Sequence, residues 1–175
     1  MAASLLGGLY IPAAPKRKVF VSYHHGGDQV YYNAFSHNFG TALDIFTDRS
    51  LERARDSDDP AYIMRYIREN HLTGASTLIV LCGAETPRRK YVDWEILAGL
   101  SQGMAVIGVG LPTIRYFDNG GTDKPPRLQD NIDSSYAVWA MWAEFLANPT
   151  GNIEAAHQRA KSKIVNTRAR RIRNG

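Results

Sequence analysis

Four apolar runs punctuate the first two thirds of the chain, each followed by residues whose apolar positions recur every three or four places. Lys18-Val-Phe-Val-Ser-Tyr-His-His25 reads as a first strand, with Gly26-Gly-Asp28 supplying a turn and a helix N-cap. Val30, Tyr31, Ala34, Phe35 and Phe39 then fall at helical spacing and are expected to face the sheet; Gly40 closes that helix. Leu43-Asp-Ile-Phe-Thr47 is a short second strand. Pro60 suits the first helical position behind an Asp59 cap, and Ile63, Met64, Ile67 and Leu72 give that helix its apolar side. Ser76-Thr-Leu-Ile-Val-Leu-Cys82 is apolar without interruption, as a central parallel strand covered on both faces requires. A third helix over 90–102 and a fourth strand, Ala105-Val-Ile-Gly-Val-Gly-Leu111, complete a β-α-β-α-β-α-β alternation.

Beyond Leu111 the pattern weakens. Residues 112–133 lose periodicity, with Gly120-Gly121 and Pro125-Pro126 marking a long irregular segment. Ser135-Tyr-Ala-Val-Trp-Ala-Met-Trp142 fits a strand or a short helix, and a fifth strand ending near Met141 is favoured. Asn148-Pro-Thr-Gly-Asn152 reads as a loop. Ile153, Ala156, Ala160 and Ile164 mark a last helix whose far end carries a basic tail. The expected architecture is α/β, a three-layer sandwich around a roughly five-stranded parallel sheet. The expected organisation is an N-terminal arm over 1–15, a domain over 16–166 and a basic tail over 167–175.

Composition changes this picture in two places. The net charge of +4 hides an asymmetry, because seven basic residues and no acid fall in the last 17, leaving 14 basic against 17 acidic side chains elsewhere. Such a run is usually a solvated end, so nucleic acid is not the expected partner. No stretch is long and apolar enough for a membrane span, and Lys16-Arg-Lys18 follows the mildly apolar start, the reverse of a signal peptide. A cytoplasmic setting is expected, with the single cysteine, Cys82, as a buried core thiol.

Several chemistries common on such sheets are missing. There is no G-x-x-x-x-G-K-[ST] loop, Ser-Tyr-His-His-Gly-Gly stands where a dinucleotide fingerprint belongs, and Cys82-Gly83 replaces the aspartate of a phospho-receiver. No Cys or His spacing matches a zinc site; His24 and His25 could ligate a metal with distant carboxylates, but side chains adjacent after a strand are expected to point opposite ways. In an open parallel sheet ligands bind beyond the carboxyl ends of the strands. Four elements should meet there: the Ser22-Tyr23-His24-His25 turn, Asp48 with Arg49, the charged loop from Leu51 to Asp59, and the helix of Tyr91, Trp94 and Glu95. Helical spacing surrounds Glu95 with Tyr91, Val92, Ala98 and Gly99, a mostly apolar setting in which a carboxylate is either a perturbed functional acid or an ordinary surface residue.

Val19-Phe-Val-Ser-Tyr23, Asp44-Ile-Phe-Thr-Asp48, Leu78-Ile-Val-Leu81 and the Trp94-Glu95 pair together resemble a TIR-like domain, and more narrowly the TIR-like proteins of Thoeris anti-phage defence. The resemblance spans roughly residues 16–111. It implies a flavodoxin-like sheet and cleavage of NAD, a substrate and not a cofactor, at the bond between nicotinamide and ribose. Glu95 would then be the catalytic residue. Ser22, Tyr23, His24, Asp48, Tyr91 and Trp94 would bind substrate, by stacking on a ring or by orienting ribose and phosphate. The product would be a cyclic or rearranged ADP-ribose that activates a downstream effector. The resemblance also implies self-association, for which the loop from Leu51 to Asp59 is suited. Trp94 and Glu95 are adjacent where enzymatic relatives space the aromatic and the acid apart, and Tyr91 can fill the earlier aromatic place. Two other readings stand beside this one: a non-enzymatic interaction module, and a protein held to nucleic acid by its tail.

Overall fold

The computed structural model describes residues 16–47 and 59–175. Its centre is β3 (Thr77–Cys82), every residue of which is buried. β3 lies between β1 (Lys18–Ser22) and β4 (Ala105–Gly110), with β2 (Asp44–Phe46) and β5 (Val138–Met141) at the edges. The strands are all parallel, in the order β2-β1-β3-β4-β5.

Period-two alternation divides the core into two layers. Phe20, Leu78, Val80, Cys82 and Val106 point to one face, where they meet α2 (Pro60–Tyr66), α3 (Lys90–Ser101) and α4 (Pro126–Asp133) through Ile63, Val92, Ile96 and Leu128. Val19, Val21, Ile79, Leu81, Ile107 and Val109 point to the other, against Phe35 of α1 (His25–Phe39), Phe145 of α5 (Trp142–Ala147) and Ile153 of α6 (Pro149–His157). The expected flavodoxin-like, TIR-like three-layer arrangement is therefore present. Gly108 and Gly110 serve close packing: a Cβ at 108 would fall 2.7 Å from the Trp139 ring and 2.8 Å from Leu128.

Several boundaries differ from expectation. β1 stops at Ser22 and His25 already opens α1, so His24 and His25 do not splay as strand neighbours. Gly26 and Gly27 lie inside the first helical turn, where the bare backbone leaves room for the His24 ring, 3.0 Å from where a Cβ at 26 would stand. Asp28 is consequently not an N-cap; His24 holds that position. Val30 is 65% exposed: five residues before the buried Phe35, it lies about 140° around the helix from that sheet-facing side. Gly40 does cap α1, but with φ of −63°; what a side chain there would meet is the Ser36 carbonyl, 2.7 Å away. Asp59 caps α2 through Ala61 N–H at 2.9 Å, and Ile63, Met64, Ile67 and Leu72 are buried, as their spacing requires. A π-turn over Ile67–His71 follows.

The C-terminal third departs most. Part of the segment expected to be irregular is α4, opened by Pro126 in its first turn. The stretch expected to be a loop at 148–152 is a capped helix start, with the Asn148 side chain accepting from Gly151 N–H at 2.9 Å and Pro149 in the first turn. α6 ends at His157, so Ala160 and Ile164 do not extend it and the basic tail does not sit on its end. The tail instead runs back across α4 and α3. Asn131 exchanges hydrogen bonds with Val165, Arg168 pairs with Asp130 at 2.8 Å, and Trp94 Nε1 donates to Arg171 O at 2.7 Å. Among the described residues no helix is long and apolar enough to cross a membrane.

Candidate functional site

In a sheet ordered 2-1-3-4-5, the chain leaves β1 and β3 in opposite directions, opening a crevice beyond their carboxyl ends. Three segments converge there. From β1 come Ser22, Tyr23 and His24. From β3 come Gly83 and the 3₁₀ turn Thr86–Arg88. From α3, which packs on β1, β3, β4, α4 and the π-turn, come Tyr91 and Glu95.

Glu95 is 2% exposed, on a helix whose neighbouring Val92, Trp94, Ile96 and Ala98 are also buried. Tyr91, one turn earlier on the same side, places its phenol oxygen 2.9 Å from His24 Nδ1 and thereby ties the end of β1 to the first turn of α3. Ser22 lies opposite Val80 in the parallel register, on the face that α3 covers. It is 1% exposed, and its Oγ has no hydrogen-bond partner among the described residues.

The other expected site residues are placed differently. Tyr23 points to the opposite face of the sheet, where its ring stacks on Tyr32 at 5.0 Å and its hydroxyl donates to Gln29 Oε1 at 3.0 Å. The rim nevertheless joins both faces, since the His25 ring lies 4.1 Å from Tyr23 and 6.5 Å from Tyr91. Trp94 sits about 100° around the helix from Glu95, its ring between Lys90 and Arg170 and its N–H committed to the tail. Stacking on a substrate would require that tail to lift. Asp48 and the loop from Leu51 to Asp58 lie outside the described residues.

Sequence reasoning missed Asp28 as part of this edge. The residue is 3% exposed, with Thr86 Oγ1 donating to its Oδ2 at 3.0 Å while Gly83 N–H donates to Thr86 Oγ1 at 2.9 Å. A Cβ on Gly83 would overlap the carboxylate, so the glycine is what lets α1 reach the end of β3. Burial raises the carboxyl above its ordinary value, against the hydrogen bonds from Thr86 and Thr113 and the charge of His24. Burial likewise pushes the Cys82 thiol up, which keeps it protonated within the core. No group of three or more His, Cys, Asp or Glu able to hold a metal occurs among the described residues.

A buried carboxylate, a hydroxyl and an imidazole-phenol pair thus border one crevice. The model of the family described as Thoeris protein ThsB, TIR-like domain, matches residues 20–116, more than half of the chain. The chain belongs to that family. It is therefore a TIR-like protein of Thoeris anti-phage defence, and the matched residues run from β1 past β4, taking in every element that borders the crevice. α4, β5, α5, α6 and the tail of this TIR-like protein lie beyond the match. None of the curated proteins matches the chain.

Proposed function

We propose that the chain is an NAD-consuming enzyme of the cytoplasm, cleaving the nicotinamide-ribose bond and releasing a cyclic or rearranged ADP-ribose that activates a partner effector. The observation that carries this reading is the placement of Glu95: buried on α3, one turn after a tyrosine hydrogen-bonded to the end of β1, beside the crevice where the strand order reverses.

The chemistry asks for one well-placed carboxylate. Nicotinamide leaves as a neutral molecule, since the C1′–N bond breaks with its electron pair going to the cationic ring nitrogen, so no general acid is needed. Positive charge develops on the ribose, and a carboxylate held away from water stabilises that charge more strongly than an exposed one can. The nucleophile, a water or a group of the same dinucleotide, then supplies an electron pair to C1′ and gives any proton it carries to the carboxylate. Ser22 Oγ and the His24-Tyr91 pair are suited to orient ribose hydroxyls. Asp48 keeps the ribose- or phosphate-orienting role that the family resemblance implies. Trp94, sealed beneath the tail, is left to hold the helix.

The test follows free nicotinamide when concentrated protein is incubated with NAD. Glu95→Gln keeps the shape and removes the charge, and release is expected to fall roughly 10²- to 10³-fold. Equal release by both proteins removes Glu95 from the mechanism. No release by the wild type at any concentration favours a module that recruits partners without turnover.

A further inference from the structure

α3 begins with an unusual deficit. The first amides of a helix have no partner within it and are generally met by a Ser, Thr, Asp or Asn side chain just before the first turn. Here that position holds Arg89, whose side chain makes no capping hydrogen bond. The far end of the chain supplies what is missing. Lys90 N–H donates to Asn174 Oδ1 at 2.9 Å, across 84 residues of sequence. Gly175 N–H donates to Arg88 O at 3.0 Å, Arg171 N–H donates to Asp93 Oδ2 at 2.8 Å, and Arg171 O accepts from Trp94 Nε1.

We propose that the last five residues, 171–175, are the N-terminal cap of α3, with Asn174 the positioning residue that holds the turns bearing Tyr91 and Glu95. Asparagine is among the strongest N-cap types, and here it acts from a strand of chain that contributes no residue to the helix. The segment lies outside the family match at 20–116. The contacts on Asp93 and Trp94 fix the strap laterally, and Asn174 meets the helix end itself. A first turn that frays would swing Tyr91 away from His24 and loosen the geometry of Glu95, which lies on the next turn. The effect on turnover rests on the proposed NAD chemistry; the cap does not.

Hydrogen exchange on the full-length chain tests it, with Asn174→Ala and Asn174→Asp beside the wild type. In Asn174→Ala the amides of residues 90–95 are expected to exchange roughly fivefold faster, the usual cost of a lost cap, with those of β3 unchanged. In Asn174→Asp, which accepts the same N–H and places negative charge at the helix start, exchange should return to the wild-type rate. The kcat for nicotinamide release should fall and recover with it, by roughly the same factor, while KM stays within about twofold. Unchanged exchange in Asn174→Ala overturns the cap, and faster exchange with unchanged kcat overturns the positioning role. Failure of the functional reading shows separately, as equal release by Glu95→Gln and wild type, and exchange alone then decides the cap.

Discussion

Asp28 carries a carboxyl group taken almost wholly out of water, and its neighbours are a threonine hydroxyl and the bare backbone of a glycine. Desolvation dominates, so its pKa in the folded protein lies above the ordinary 3.8. Between those two values the native state keeps a proton that the unfolded chain has released, so stability falls as pH rises through that window and levels off above it. Asp28→Asn retains an acceptor for Thr86 but cannot titrate. Urea unfolding of both proteins from about pH 4 to pH 7 should therefore show the wild type losing stability relative to the variant as pH increases; a relative gain would mean that the hydrogen bonds outweigh desolvation. In the sequence Asp28 follows Gly26-Gly27 and looks like a cap, because local spacing contains the turn and not Thr86, which is 58 positions away. For Glu95, helical spacing reaches Tyr91, Val92, Ala98 and Gly99 on its own helix and leaves open whether the acid is buried or on the surface; in the structure it is 2% exposed.

The elements show the same division between local and distant causes. Strands and helices through residue 110 announce themselves by period, and the structure places them within a few residues of expectation. α4 escaped because its charged and amide side chains find partners elsewhere in the fold. Arg127 is fully buried, donating to both Asp93 oxygens at 2.9 and 3.3 Å, to Asn166 Oδ1 at 2.9 Å and to Ala169 O at 3.2 Å. One guanidinium thus joins α3, α4 and the tail, and an arginine so placed in a Pro-Arg-Leu-Gln-Asp-Asn stretch looks like solvent-exposed loop until its partners are known. The tail differs from expectation for a related reason, since charge density along a sequence does not show that its backbone is used as a strap. Truncating one partner of a buried ion pair leaves the other charged and dry. Arg127→Met is accordingly expected to cost about 3–5 kcal/mol in urea unfolding, and Asp93→Asn added to it should recover part of the loss. A cost under about 1 kcal/mol would show that the tail and α4 hold together without the pair.

At the scale of the whole molecule, strand number and parallel direction could be read from the alternation, but strand order could not. Order depends on which edges pair across long separations, and Phe20, Leu78 and Val106 carry no local mark of being neighbours. Yet order decides where a ligand fits. The reversal between β1 and β3 puts the crevice at the carboxyl edge, whereas the opposite edge holds a competing concavity of about 310 Å³ lined by Ser76, Met104, Tyr136, His157, Arg159 and Lys161. The two differ in what they offer. Helices α3 and α6 both end at the lower pocket, so the partial negative charge at their C-termini opposes the basic side chains that line it, leaving less field for a dinucleotide. The upper crevice is bordered by a buried carboxylate and by a serine hydroxyl with no hydrogen-bond partner among the described residues. NAD held by Glu95→Gln, which slows turnover without emptying the crevice, should therefore slow hydrogen exchange in residues 22–28 and 83–95 and leave 102–105 and 156–161 as they are in the free protein. Protection confined to that second set would move the binding site to the other end of the sheet and detach Glu95 from the substrate altogether.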